Sequence, residues 1–260
     1  MKRIWFTMAL VAVCTTLHAT PLFLVKDGKP AATIVIPDDP SLTESFAAAE
    51  LATYLQKSTG AILPVFKEKD AFAQPPAGPV VLIGGTEKAK ALGITLKDIS
   101  KGGFLAKRTG NFLVFRGEDD RTRYYGGKSY AVDPKQRSET RHGTLFAVYD
   151  FLEKNVGVRW YWPGPLGEVV PAKTSISVEA LDYHENPDFE YRFCYGYTLD
   201  DPDFKYNESV LWWRRQRLGG AGAAPATHSF AKYVPLYGTT HPEYFALQKD
   251  GKRLTDTDHG

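Results

Sequence analysis

The chain has 260 residues, of which 43% are hydrophobic and 24% charged, the profile of a folded protein with room for one large domain or two smaller ones. Its formal net charge is +2, and Lys2 and Arg3 lie in a segment read below as removable, so the rest of the chain is balanced. That excludes the basic footprint of a nucleic-acid binder or of a protein held on an anionic membrane.

The opening MKRIWFTMALVAVCTTLHAT has a cationic start, an apolar core from Ile4 to Val13 and the small residue Ala19. It reads as a secretory signal peptide over residues 1–19, which implies a secreted or periplasmic protein. The apolar run is shorter than the roughly 20 residues that cross a bilayer, so no membrane span is expected in the mature chain. Lipoprotein processing at Cys14 is an alternative that Val13 disfavours. With the segment removed Cys194 is the single cysteine, and the fold must rely on core packing rather than a disulfide.

Next, Leu22 to Val25 and Ala32 to Ile36 flank the turn sequence KDGK and are expected to pair as a hairpin. SLTESFAAAELATYLQKSTG predicts a helix: Ser41 stands three residues before Glu44 as a capping box, Ala48, Leu51 and Leu55 share a face, and Gly60 is a stop. The continuous apolar run Val80 to Ile83 predicts a strand buried on both faces. Gly84-Gly85-Thr86 then opens a short helix ended by Gly93. A phosphate-binding role for this turn lacks the Lys-Ser/Thr of a P-loop and the spaced glycines of a dinucleotide fold, so a tight strand-to-helix turn is expected. GFLAKRTGNFLVFRG reads as a hairpin around Thr109-Gly110-Asn111. After a loop rich in charge and tyrosine, a helix begins near Gly143. Leu145, Val148, Tyr149, Leu152 and Val156 form its stripe, Asp150, Glu153 and Lys154 face away, and Gly157 ends it. Val158-Arg159-Trp160 starts a returning strand. Alternating strands and helices over residues 20–185 imply an α/β unit with a mixed sheet covered by helices.

The segments AAAELATYLQKSTGAILPV, VVLIGG, FLEKNVGVRWYWPGPLGEVVP, NPDFEYR and HPEYFALQKDGKR, in this order, resemble an exported bacterial family labelled domain of unknown function 4838. The first part also resembles the α/β domain that precedes the catalytic barrel in family 67 α-glucuronidases and family 20 β-hexosaminidases. The departure is the insertion between Arg121 and Arg141, where the family has a short connection. The resemblance implies that residues 186–260 begin a (β/α)₈ barrel, with NPDFEYRFCYGY as its first strand and a helix from Asn207 to Gly219. This is under a third of the about 250 residues a barrel needs, so the chain is expected to be a fragment or a truncated product. Trp160, Tyr161 and Trp162 then fall where the two domains meet. They either pack the interface or offer a stacking face to a sugar, and interface packing is favoured.

Within this frame Arg192, Trp213, His228 and His241 are the candidate substrate-binding residues. Arg192 would meet a substrate carboxylate and His228 a ring hydroxyl, whereas a seam position is the competing reading for Arg192 and for the Trp212 to Arg217 patch. His241-Pro242-Glu243 has too few partners for a metal, and no HExxH pattern occurs. No metal or cofactor is therefore expected. Glycoside hydrolysis needs two facing carboxylates, and in the resembling barrels both come from later strands, so no catalytic residue is assigned. The implied function is the N-terminal portion of an exported α-glucuronidase-like glycoside hydrolase with a carbohydrate substrate. The alternative is a non-catalytic glycan-binding or scaffold protein. The oligomeric state is not readable.

Overall fold

A computed structural model describes residues 20–125, 128–135, 140–189, 191–192, 206–219 and 233–253. The leader segment, Cys194, His228 and most of the expected first barrel strand lie outside the described residues.

Two strands pair early. β1 (Leu22–Lys26) turns through Asp27 and Gly28, both at positive φ (50° and 72°), into the two-residue β2 (Lys29–Pro30). The hairpin stops there, and β3 (Thr33–Ile36) enters a different sheet. This corrects the expected pairing of Leu22–Val25 with 32–36. Past Pro30 the Ala31 N–H still donates to the Leu24 carbonyl at 3.0 Å before the chain leaves for the central sheet, and the other edge of β1 is taken by β12 (Ile176–Val178).

The central sheet has six strands. β4 (Val65–Lys67), β3, β5 (Val80–Ile83) and β7 (Phe112–Gly117) run parallel, and β6 (Phe104–Thr109) and β13 (Asp182–Glu185) add antiparallel, giving the order β13-β6-β7-β5-β3-β4. The mixed α/β sheet read from the sequence is thus present, with β5 in its interior and every β5 residue buried. Side chains alternate across it. Ile34, Val81, Ile83, Leu113 and Phe115 join the large core under α1 (Leu42–Thr59) and α4 (Gly143–Phe151). Val35, Val80, Leu82 and Val114 pack on the other face against α3 (Glu87–Ala91). The all-apolar run at 80–83 is the direct consequence of two covered faces.

α1 follows its sequence signals. The Ser41 side chain accepts from the Glu44 N–H, the Glu44 carboxylate accepts from the Ser41 N–H, and Gly60 ends the helix at φ 78°. α4 departs from them. All nine of its residues are buried, Asp150 among them at 7% exposure. The expectation that Asp150 faces away is therefore wrong: β13 and the chain after α5 (Tyr206–Arg215) cover that side, and Tyr183 donates to Asp150 at 2.5 Å. Beyond α4 the helix widens into a π turn over Leu152–Val156, and Gly157 closes it at φ 89°. The charged insertion, read as loop, contains an antiparallel ribbon of β8 (Thr122–Tyr125) and β9 (Lys128–Ala131). β10 (Arg159–Trp160) pairs with β11 (Glu168–Val169). No described helix is long and apolar enough to cross a membrane.

Candidate functional site

Open α/β sheets hold ligands most often outside the carboxyl ends of their parallel strands. Here that edge is occupied by the chain's own carboxylates. Glu44 accepts from the Ser41 and Gly85 N–H groups, both at 2.8 Å. Glu68, from α2 (Glu68–Ala71), accepts from the Glu87 and Lys88 N–H groups at the start of α3. Asp119 accepts from the Thr144 N–H at the start of α4, at 2.9 Å. The Gly84-Gly85 turn is the tight turn expected from sequence: Gly84 has φ 78°, and a Cβ there would lie 2.2 Å from Glu44 Oε1. A helix start satisfied by an internal carboxylate has no need of a bound anion.

Burial pushes the Asp119 carboxyl up to about 7, against the hydrogen bonds from Thr144, with Glu44 and Glu118 adding to the rise. His142, fully buried between the Thr43 and Thr140 hydroxyls at 3.0 Å each, is held well below its ordinary range by burial and by Arg214. The two act oppositely on stability. A carboxyl with a raised folded pKa keeps a proton that the unfolded chain has released, so its contribution is lost as pH rises from about 4 to about 7. A histidine with a depressed folded pKa lowers stability as pH falls below about 6.5. In paired urea titrations, Asp119→Asn should therefore gain stability relative to the parent as pH rises from 5 to 8. Parallel curves would remove Asp119 as the titrating group.

The second cluster joins the α/β unit to α5. Trp160, 3% exposed, packs edge-on against Tyr54 and Tyr149, each at 5.2 Å, and donates to the Tyr54 hydroxyl at 2.9 Å. Its carbonyl accepts from Trp212 Nε1 at 3.0 Å and Gln216 Nε2 at 2.8 Å. Arg215 lies over the Tyr54 and Trp160 rings and pairs with Glu50 at 3.3 Å, with both side chains 11% exposed. Tyr149 also donates to Glu50, at 2.8 Å. Tyr54 donates to Glu168, which pairs with Lys57. Of the three rings expected at the seam, Trp160 alone is buried; Tyr161 is 70% and Trp162 52% exposed.

The third place is a cleft of about 410 Å³ lined by Phe146, Asp150, Glu185, Asn186, Arg192 and Arg217, among others. Arg192 pairs with Gly219 through both backbone groups, donates from Nε to the Arg217 carbonyl and from Nη1 to the Phe189 carbonyl, and lies over the Phe146 ring. Arg217 reaches Glu153 and Asp150. Asn186 bonds the Ser100 N–H and the Asp98 carbonyl. These contacts tie segments of the chain together across the cleft.

Of the four residues predicted to bind substrate, Arg192 lines this cleft and is bonded to the chain around it, and Trp213 is 5% exposed on α5. His241 opens a 3₁₀ turn, Pro242–Tyr244, with its Nδ1 3.0 Å from Glu243 Oε1. The structure brings Arg192 and the end of α5 together through the Arg192 to Gly219 and Arg217 bonds, whereas the side-chain bond of His241 is local, to Glu243. Among the described residues no group of three or more His, Cys, Asp or Glu could hold a metal ion. Sequence reading missed Glu50, Tyr54, Tyr149 and Asp119. The available signal was Glu50 set among Ala47, Ala48 and Leu51 on an apolar helix face, where a carboxylate needs a buried partner.

Residues 162–257 match the model of the family described as Domain of unknown function (DUF4838), so the resemblance to that family is shown over this stretch. No curated protein matches the chain. Among solved structures the chain is similar to a family GH115 4-O-methyl-α-glucuronidase, BtGH115A, with specificity for decorated arabinogalactans. The identity is 16% and the TM-score 0.46, over 76% of this chain and 25% of that one. The chain spans about a quarter of that structure's length.

Proposed function

We propose that this chain is the N-terminal portion of an exported glycoside hydrolase-like protein acting on polysaccharide-derived glycans, α-glucuronidase-like in its substrate. In this reading residues 20–185 are a non-catalytic α/β platform, and residues 186–260 open the barrel that carries the chemistry. His228 and His241 are the residues assigned to glycan binding, while Arg192 and Trp213 hold the seam. The carrying observation is where open rings lie. The α/β sheet edge is closed by internal carboxylates, whereas the stretch after Trp160 carries a series of exposed aromatics: Tyr161, Trp162, Phe189, Tyr233, Tyr237 and Tyr244. Exposed rings with polar edges suit the apolar face and hydroxyl rim of a pyranose.

The test is incubation of the complete encoded protein with glucuronate-decorated oligosaccharides, measuring released uronic acid and retention on the polysaccharide. Release is the expected result. Retention without release supports the second reading, a glycan-binding scaffold, and neither release nor retention overturns both.

A further inference from the structure

We propose that Tyr237, His241 and Tyr244 form a platform on which one neutral hexopyranose ring of a glycan stacks. The proposal rests on the glycan-acting reading above and adds a place and a sugar class to it. The chain builds the platform by local turns. α6 (Val234–Tyr237) ends at Gly238, the His241 N–H donates to the Tyr237 carbonyl at 2.7 Å, and the Tyr244 N–H donates to the His241 carbonyl at 3.1 Å. These bonds bring three rings from eight residues of chain into one group. His241 and Tyr244 stack with centroids 4.7 Å apart and planes 8° from parallel. Tyr237 stands at 5.9 Å from Tyr244 and 6.2 Å from His241.

The residue that follows the rings is buried, and the two tyrosine rings are open. Phe245 is 6% exposed, and its carbonyl accepts from Arg253 at 2.9 Å, which ties the platform to the turn that follows. Tyr237 and Tyr244 remain 40% and 60% exposed. Prearranged rings lose little freedom on binding, which favours a ligand that covers a flat apolar face. A protein core would also cover such a face, but it would leave the phenol and imidazole edges without partners, whereas sugar hydroxyls supply them.

Charge selects the kind of sugar. Glu243 lies beside the stack and is bonded to His241, a contact that holds its carboxyl below the usual range. Arg253, the cation whose charge also reaches Glu243, is engaged by the Phe245 carbonyl, so the charge bonded to the stack itself is the carboxylate's, which accepts hydroxyl hydrogens and repels a uronate. The platform therefore takes a neutral hexose of the glycan rather than an acidic one.

The experiment is calorimetric titration of the full chain with neutral gluco-, galacto- and manno-oligosaccharides, and with the same oligosaccharides ending in glucuronate. Tyr244→Ala should weaken binding of the preferred neutral probe roughly tenfold, and Tyr244→Phe should stay within about twofold of the parent, because the ring is retained. Melting temperatures of the three proteins should agree. Parent-like affinity in Tyr244→Ala overturns the platform, as does failure of the parent to bind any neutral probe. In either case the uronic-acid release assay still judges the glycan-acting reading by itself. Light scattering that shows a self-associated parent and a monomeric Tyr244→Ala also overturns it, assigning the rings to contact between copies.

Discussion

Arg215→Ala should lower the unfolding free energy by about 3–5 kcal/mol, the range for removing one member of a buried ion pair. The loss does not measure the strength of the pair. At 3.3 Å and 11% exposure on each side, Glu50 would be left as a buried carboxylate that keeps the hydrogen bond from the Tyr149 hydroxyl but no cation. The Tyr54 and Trp160 rings would also lose the guanidinium that covers them. A second change relieves the first: Glu50→Gln combined with Arg215→Met should recover most of the loss, since a pair replaced by neutral groups of similar volume costs little. Urea denaturation of the three proteins measures both effects. A single variant within about 1 kcal/mol of the parent would show Arg215 to be a surface pair of the ordinary weak kind.

Gly117→Ala and Gly143→Ala should each destabilise the fold by about 3 kcal/mol or more, the upper part of the range for overpacking. Neither substitution strains φ; the obstruction is backbone against backbone. A Cβ on Gly117 would sit 2.2 Å from the Gly143 carbonyl carbon and 2.6 Å from the Thr144 nitrogen. A Cβ on Gly143 would sit 2.3 Å from the Gly103 oxygen and 2.6 Å from the Glu118 nitrogen. At this junction the end of β7 meets the start of α4, with the Gly117 N–H donating to Thr144 Oγ1 and the Gly143 N–H to the Glu118 carbonyl. Neither backbone can retreat without breaking those bonds. The melting temperature should fall by about 6–12 °C, and Gly110→Ala, where a Cβ meets nothing within 4 Å, should fall by less, through its positive φ of 55° alone. Equal losses at the three positions would sink the close-approach argument.

The parts of the fold legible in the sequence are those written by neighbours along the chain. The capping box of Ser41 and Glu44 spans three residues, the 104–117 hairpin closes on one glycine turn, and β5 announces its two covered faces by four apolar residues in a row. Asp150 was misread because its partners arrive from 33 and 67 residues away, in Tyr183 and Arg217, and a helical stripe has no record of them. Glu50 fails for the same reason: Arg215 is 165 residues on. In the candidate site, Arg192 was singled out by its place in the expected first barrel strand. Its bonds from Nε and Nη1 to the chain's own carbonyls at Arg217 and Phe189 are contacts that no residue type discloses. The rings at 237–244 were crowded enough in sequence to stand out, but their stacking depends on two backbone turns.

The pairing of β1 with β12 also sets an order of events for the ribosome. β1 is among the first described segments made, yet its strand partner is Ile176–Val178, and the adjoining turn is bonded to Ser175 across 148 residues. Leu22, Leu24 and Val25 are buried in the finished fold, so until that distant strand emerges they remain without their cover. β13, which seals the opposite margin of the large sheet against β6, comes later still. Closing such long loops is slow relative to forming local turns and helices. Folding of the α/β unit is thus a late, collective step that waits for nearly all of it to be synthesised, and the nascent chain presents a sticky leading strand throughout that interval.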